Sequence, residues 1–235
     1  MNYKQLINNC AKINHWLFSS QCVLCTAPVK TSKGLCSACF DALPWHNAPQ
    51  CQQCGLLSNH PICGQCLKSA PEFDVTVAAL RYAFPLDALM QQFKYGSTLQ
   101  TAHLFADLIS AHHAMQNLDL IIPMPLHPKR LKERGFNQSL EIAKLLAKQQ
   151  NIPIDYHCCA RTKYTAPQAS LPLKERVKNI KGAFACHIDL TGKRIAIIDD
   201  VMTTGASLNE LAKTLKKAGA AHVECWVVAR TLPHD

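Results

Sequence analysis

Two adjacent acids, Asp199 and Asp200, close an apolar run and are followed by Thr203-Thr204-Gly205-Ala206-Ser207 and then an amphipathic helix pattern (IAIIDDVMTTGASLNELAKTL, residues 195–215). Burying two neighbouring carboxylates at the end of a strand is costly unless donors satisfy them. The next segment has the opposite preference. Free backbone N–H groups at a helix start, helped by three hydroxyl side chains, suit a phosphate. The acids would repel that phosphate but accept hydrogen bonds from hydroxyls one sugar away. A ribose 5-phosphate satisfies both halves. An ordinary N-capped helix after a strand would explain Thr203 or Ser207, but not the paired acids. Neither a G-x-G-x-x-G after a strand nor a G-x-x-x-x-G-K-[ST] loop is present.

A second chemistry lies upstream. Eight of the 13 cysteines form four C-x-x-C pairs: Cys22/Cys25, Cys36/Cys39, Cys51/Cys54 and Cys63/Cys66. A C-x-x-C turn aims two thiolates at one ion, and two turns complete a closed four-thiolate zinc site. The alternatives are a disulfide scaffold, which conflicts with the absence of a secretory signal, and a thioredoxin-like site, which uses one pair rather than four. The spacing fits two small zinc ribbons in series and leaves open one or two ions and the pairing of the turns. Eight thiolates and two Zn²⁺ would offset the +4 charge of residues 1–71. A nearly neutral ribbon is better suited to a structural role than to clamping DNA, and a segment this short needs such a staple.

The net charge of +9 is concentrated: residues 72–128 carry −3, 129–181 carry +8 and 182–235 carry none. In PMPLHPKRLKERGFNQS (residues 123–139), Lys129, Arg130, Lys132 and Arg134 are expected in a loop between a strand and a helix, where they could cradle an anion. Residues 161–184 add Arg161, Thr165, Gln168, Arg176 and Asn179 in a polar stretch about the length of a mobile lid. The basic block fits an anionic ligand, a nucleic acid or a solvated face. Aromatic interleaving, which would favour single-strand stacking, is thin there: Phe136, Tyr156 and Tyr164.

Elements must bring these groups together. Strands are expected at 74–84, 118–126, 193–200 and 221–230, with helices at 86–95, 99–117, 137–150 and 206–218 and a short β-like piece at 152–159. Alternation of this kind predicts an α/β fold with a parallel sheet and helices on its faces. Three regions follow: an N-terminal helix over 1–20 (Tyr3, Leu6, Ile7, Cys10, Ile13, Leu17 at helical spacing), a ribbon over 21–70, and the sheet domain over 71–235. No segment reaches the roughly 18 to 20 apolar residues of a membrane span, and no apolar signal-peptide core precedes the first cysteine pair. An intracellular protein is expected.

The acid pair with its T-T-G-A-S loop resembles the 5-phosphoribosyl-1-pyrophosphate (PRPP) motif of type I phosphoribosyltransferases. With the basic 123–139 stretch, the 161–184 stretch and the four C-x-x-C pairs, the chain resembles the competence protein F (ComF/GntX) family over nearly its whole length. The resemblance implies a parallel sheet of the type I phosphoribosyltransferase kind preceded by a small zinc-ribbon domain. It assigns Asp199 and Asp200 to the ribose 2- and 3-hydroxyls and to support of positive charge on the ribose, and Thr203, Thr204, Gly205, Ala206 and Ser207 to the 5-phosphate. Lys129, Arg130 and Arg134 would face the pyrophosphate, with Mg²⁺ bridging its oxygens and the ribose hydroxyls. The implied setting is natural transformation: the bacterial cytoplasm, or the face of the inner membrane, with single-stranded DNA and other DNA-uptake proteins as partners. The chain departs from nucleobase-salvage enzymes in having no stretch assignable to reading a purine or pyrimidine. A transferase with an unidentified acceptor, a PRPP- and DNA-binding accessory protein, and a structural adaptor are the readings that follow.

Overall fold

The computed structural model describes residues 20–29, 34–96, 99–112, 117–164 and 178–233. Residues 1–19 of the helix expected over 1–20, and residues 165–177 of the expected lid, lie outside them, and Ser20 is in a strand. The chain packs as two compact units, Met1–Leu43 and Pro44–Asp235. Of the two zinc ribbons expected in series, the first pair of cysteine turns falls in the first unit and the second pair in the second.

The first unit contains the antiparallel pair β1 (Ser20–Gln21) and β2 (Pro28–Val29), then the short helix α1 (Ser37–Asp41). The second begins with a cysteine turn bridged Gln50 to Leu57 and the short helix α2 (Gly64–Lys68). There follow β3 (Val75–Arg81), α3 (Leu86–Gly96), α4 (Leu99–His112), β4 (Leu120–Pro123), α5 (Pro128–Arg134), α6 (Gln138–Gln150), β5 (Cys159–Arg161), β6 (Phe184–Cys186), β7 (Arg194–Met202), α7 (Ala206–Lys217) and β8 (His222–Arg230).

Four strands form one sheet in the order β3-β8-β7-β4, and every neighbouring pair is parallel. Parallel strands covered on both faces read as nearly continuous apolar runs, which is what Ile195–Ile198 and Cys225–Ala229 are. Helix α7 covers the face carrying Ile195, Ile197, Val223, Cys225 and Val227. The alternate residues Ala196, Ile198, Trp226 and Val228 are fully buried on the other face, where α4 and α6 pack on the sheet and on each other. The connection after β4 thus runs to one face and the connection after β7 to the other. A crevice opens at such a switch point beyond the carboxyl ends of the strands. β4 stops at Pro123, opposite Ile198, so Asp199 and the residues after it have no strand neighbour on that side.

Two elements differ from the sequence expectation. The basic residues 129–134 form helix α5 rather than a loop. Pro128 sits at its first turn, the His127 ring accepts the Lys129 N–H at 3.2 Å, and Gly135, at φ 78°, ends it in the left-handed conformation. The β-like piece at 152–159 is an isolated bridge from Ile154 to Ile121 followed by β5, which pairs antiparallel with β6. Helix α4 is described to His112, short of the expected residue 117, and residues 113–116 lie outside the described set.

Candidate functional site

A cavity of about 350 Å³ lies in the crevice between β4 and β7, within the size range of small-molecule sites. β7 delivers Asp199 and Asp200 to its floor, and the turn into α7 adds Thr203, Gly205, Ala206 and Ser207. Asp199 accepts the Ser139 hydroxyl at 2.9 Å and the Asp200 N–H at 2.9 Å. Burial, followed by the neighbouring Asp200 charge, raises the Asp199 carboxyl to about 7; Ser139, the Asp200 amide and Lys94 oppose the rise. Lys94 comes from α3 and stands 3.5 Å from Asp200 Oδ2. The acids therefore share one cation and face an open volume with their remaining lone pairs.

The turn after β7 is shaped by Gly205, at φ 76°, which is the N-cap of α7. A β-carbon there would come within 2.8 Å of Met202 Cε, so a larger residue would strain the backbone and push Met202 aside. Gly205 makes no side-chain cap at the start of α7, whose first turn lines the cavity, and a helix N-terminus favours a bound anion. Thr204 is the one member of the motif that does not line the cavity; its hydroxyl accepts the Ala206 N–H at 3.3 Å.

Arg130, Arg134 and Arg161 also line the cavity. Arg130 is tied to Glu133 at 2.6 Å and Arg134 donates to Gln138 Oε1 at 3.2 Å. Burial, and after it the charges of Arg130 and Arg134, disfavour the Arg161 cation, while Asp199 supports it. Three guanidiniums around one cavity, with two acids at its floor, form a site that a polyanion carrying hydroxyls would relieve. Lys129 and Lys132 do not line the cavity. Lys129 Nζ lies 5.0 Å from the centroid of the Tyr164 ring, a cation–π contact at the surface.

The cysteines form two four-thiol groups, Cys22/Cys25/Cys36/Cys39 and Cys51/Cys54/Cys63/Cys66, with all sulfurs of a group within 4.8 Å of one another. Four sulfurs at the Zn–S bond length of about 2.3 Å would be separated by about 3.8 Å along each tetrahedral edge. The Cys25–Cys36 and Cys54–Cys63 separations are both 3.7 Å, too long for disulfides and right for one ion per group. Consecutive turns are paired rather than interleaved. Burial works against the Cys22 and Cys51 thiolates, but backbone N–H groups aimed at them bring their pKa values down to about 6 and about 7. Each group thus holds an amide-stabilised anionic sulfur suited to zinc. Of the other cysteines, Cys158, Cys159 and Cys225 are buried, Cys186 is partly exposed, and Cys10 lies outside the described residues.

The sequence model of the double zinc ribbon domain matches residues 13–70, and that of the phosphoribosyl transferase domain matches residues 137–232. Competence protein F of Haemophilus influenzae is 32% identical over 228 residues, covering 91% of this chain and 98% of that protein. The chain belongs to the competence protein F family. Within it, the DNA utilization protein YhgH of Shigella flexneri is 35% identical over 221 residues, covering 90% and 97% of the two chains. Among solved structures, the purine phosphoribosyltransferase of Pyrococcus horikoshii is 19% identical, covers 68% of this chain and 94% of that one, and superposes with a TM-score of 0.34.

Several residues of the cavity carry no local sequence signal. Lys94 is one polar position of an amphipathic helix, Ser139 is the second residue of α6, and Tyr82 follows β3. All three line the cavity because of strand order. Among the described residues no helix is long and apolar enough to cross a membrane.

Proposed function

We propose that the chain binds PRPP with Mg²⁺ in the cavity between β4 and β7 and, in the DNA-handling role its relatives are named for, single-stranded DNA along its basic segment. The observation that carries this reading is the meeting of two acids, a phosphate-suited turn and three arginines in one cavity.

Each part of the cavity has a counterpart on that ligand. Asp199 and Asp200 accept hydrogen bonds from the ribose 2- and 3-hydroxyls. The backbone of the Thr203–Ser207 turn, with the Thr203 and Ser207 hydroxyls, receives the 5-phosphate. Arg130, Arg134 and Arg161 face the pyrophosphate, with Lys129 at the outer margin. Mg²⁺, when bound, would neutralise charge on the pyrophosphate as it leaves. In a transfer reaction the anomeric carbon becomes oxocarbenium-like, and the Asp199 carboxylate supports that charge while the arginines hold the leaving group. Neither acid is placed as a general base for an acceptor. Zinc, held by the two cysteine groups, is structural.

The test is to incubate the purified chain with PRPP and Mg²⁺, alone or with single-stranded DNA or nucleobases, following binding and pyrophosphate release. Saturable binding supports the site. Release stimulated by DNA marks a transferase of the uptake machinery, and release stimulated by a nucleobase alone marks a transferase acting outside DNA uptake. The absence of binding contradicts the proposal.

A further inference from the structure

Arg230, the last residue of β8, is 4% exposed. Among the described residues it forms no ion pair with a carboxylate. The Cys54 and Cys66 side chains lie near it, and their charge, when ionised, favours its cation against burial. Its hydrogen bonds all end on backbone carbonyls. Nε donates to Cys54 O at 2.8 Å, and Nη1 donates to Met202 O at 3.0 Å, Thr231 O at 2.8 Å and Thr203 O.

On one side this guanidinium grips a metal-ligand turn. The carbonyls of Gln52, Gln53 and Cys54 accept in succession from the Thr76 N–H at 2.9 Å, the Thr76 hydroxyl at 2.6 Å and Arg230 Nε. Gly55, at φ 68°, permits this approach; a β-carbon there would lie 3.1 Å from Thr76 Cγ2 and 3.6 Å from Arg230 Cδ. On the other side Arg230 lies behind the turn that follows β7 and does not line the cavity. The C=O and N–H of a trans peptide point in opposite directions. With the Met202 and Thr203 carbonyls drawn to Arg230, the Thr203 and Thr204 amides face away from the guanidinium. Arg230 thereby fixes the peptide orientation that an anion-binding turn needs.

We infer that Arg230 is a positioning residue coupling the Cys51/Cys54/Cys63/Cys66 group to the Thr203–Ser207 turn, so that affinity for a sugar phosphate depends on zinc in that group and not on zinc in the Cys22/Cys25/Cys36/Cys39 group. This rests on the proposed PRPP site. Zinc fixes the turn whose Cys54 carbonyl holds Nε; when the turn loosens, Nη1 no longer holds the Met202 and Thr203 carbonyls. Linkage is reciprocal, so bound PRPP slows zinc loss from the second group.

The test uses the full chain with PRPP and Mg²⁺. Arg230→Lys, which keeps the charge but loses the fork, is expected to weaken PRPP binding by more than about tenfold with zinc content and cooperative melting retained. In the Cys22→Ser/Cys39→Ser variant, PRPP affinity stays at the wild-type level and saturating PRPP slows transfer of the remaining zinc to a zinc-selective chelator. Wild-type affinity in folded Arg230→Lys overturns the inference. So does zinc transfer from the second group at a rate indifferent to PRPP, a measurement that also decides the matter if Arg230→Lys does not fold. Failure of the wild-type chain to bind PRPP at all removes the site reading and the coupling together, whereas binding without coupling removes only the coupling.

Discussion

Ser139 Oγ donates to Asp199 Oδ1 at 2.9 Å, joining the first turn of α6 to the end of β7 across 60 residues of sequence. The bond favours the ionised form of a carboxyl that burial and Asp200 raise to about 7. Ionised Asp199 is the form that accepts from a ribose hydroxyl, so PRPP affinity should rise as pH increases through about 7. Ser139→Ala and Lys94→Met each remove a group that lowers the Asp199 pKa, so each should move this rise to higher pH. Affinity then falls several-fold at pH 6.5, with partial recovery at pH 8.5. Calorimetric titration across that range checks it, and an unmoved profile in both variants would separate Asp199 from ligand binding.

The same carboxyl makes stability pH-dependent. Its folded pKa lies above its ordinary value of 3.8, so the folded state holds a proton that the unfolded state has released. Its contribution is therefore lost as pH rises between about 4 and about 7. Asp199→Asn should raise the melting temperature at pH 8 and leave it nearly unchanged at pH 4. Equal effects at both pH values would show that Asp199 does not titrate in this window.

Metal analysis of the full chain should give close to two zinc ions, one for each group of four cysteines. Cys22→Ser/Cys39→Ser should reduce this to one. Finding disulfides within the pairs, or no zinc, would remove the ribbon reading.

Gly219 offers a sharp test of the packing where α7 returns to β8. Its φ is 102°, and a β-carbon would meet Thr191 Oγ1 at 2.7 Å, Cα at 2.8 Å and N at 2.9 Å. Two of these atoms are backbone and cannot rotate away. Gly219→Ala should cost about 3 kcal/mol or more, whereas Gly192→Ala should cost only ~1–2 kcal/mol for its strained backbone, since Gly192 has φ 75° and open space around it. Comparable denaturation midpoints for the two variants would contradict this packing.

What was legible in the sequence is what is local. The strand, acids, turn and helix of residues 195–215 are contiguous, and each C-x-x-C turn brings two thiols together by itself, whereas which turns pair depends on the fold. The strands β7 and β8 announced themselves as apolar runs because both faces are covered. Lys94, Ser139 and Tyr82 were not legible as site residues, because the order β3-β8-β7-β4 brings them to one cavity from separate stretches. Helix α5 was masked by its charge: it buries no residue, so it has no apolar period, and only Pro128 and Gly135 mark its ends. Arg230 reads as the polar end of an apolar strand, and its partners are carbonyls, which no side-chain pattern reveals.

The most direct measurement is calorimetric titration of PRPP with Mg²⁺ into the wild-type chain and into Asp199→Asn/Asp200→Asn. Exchanging carboxylates for amides keeps shape and removes charge-assisted acceptance from the ribose hydroxyls. Saturable one-to-one binding by the wild type, weakened by about hundredfold or more in a cooperatively folded double variant, is the expected result. Wild-type affinity in that variant would contradict the account, because the two acids would then serve the protein and not a sugar.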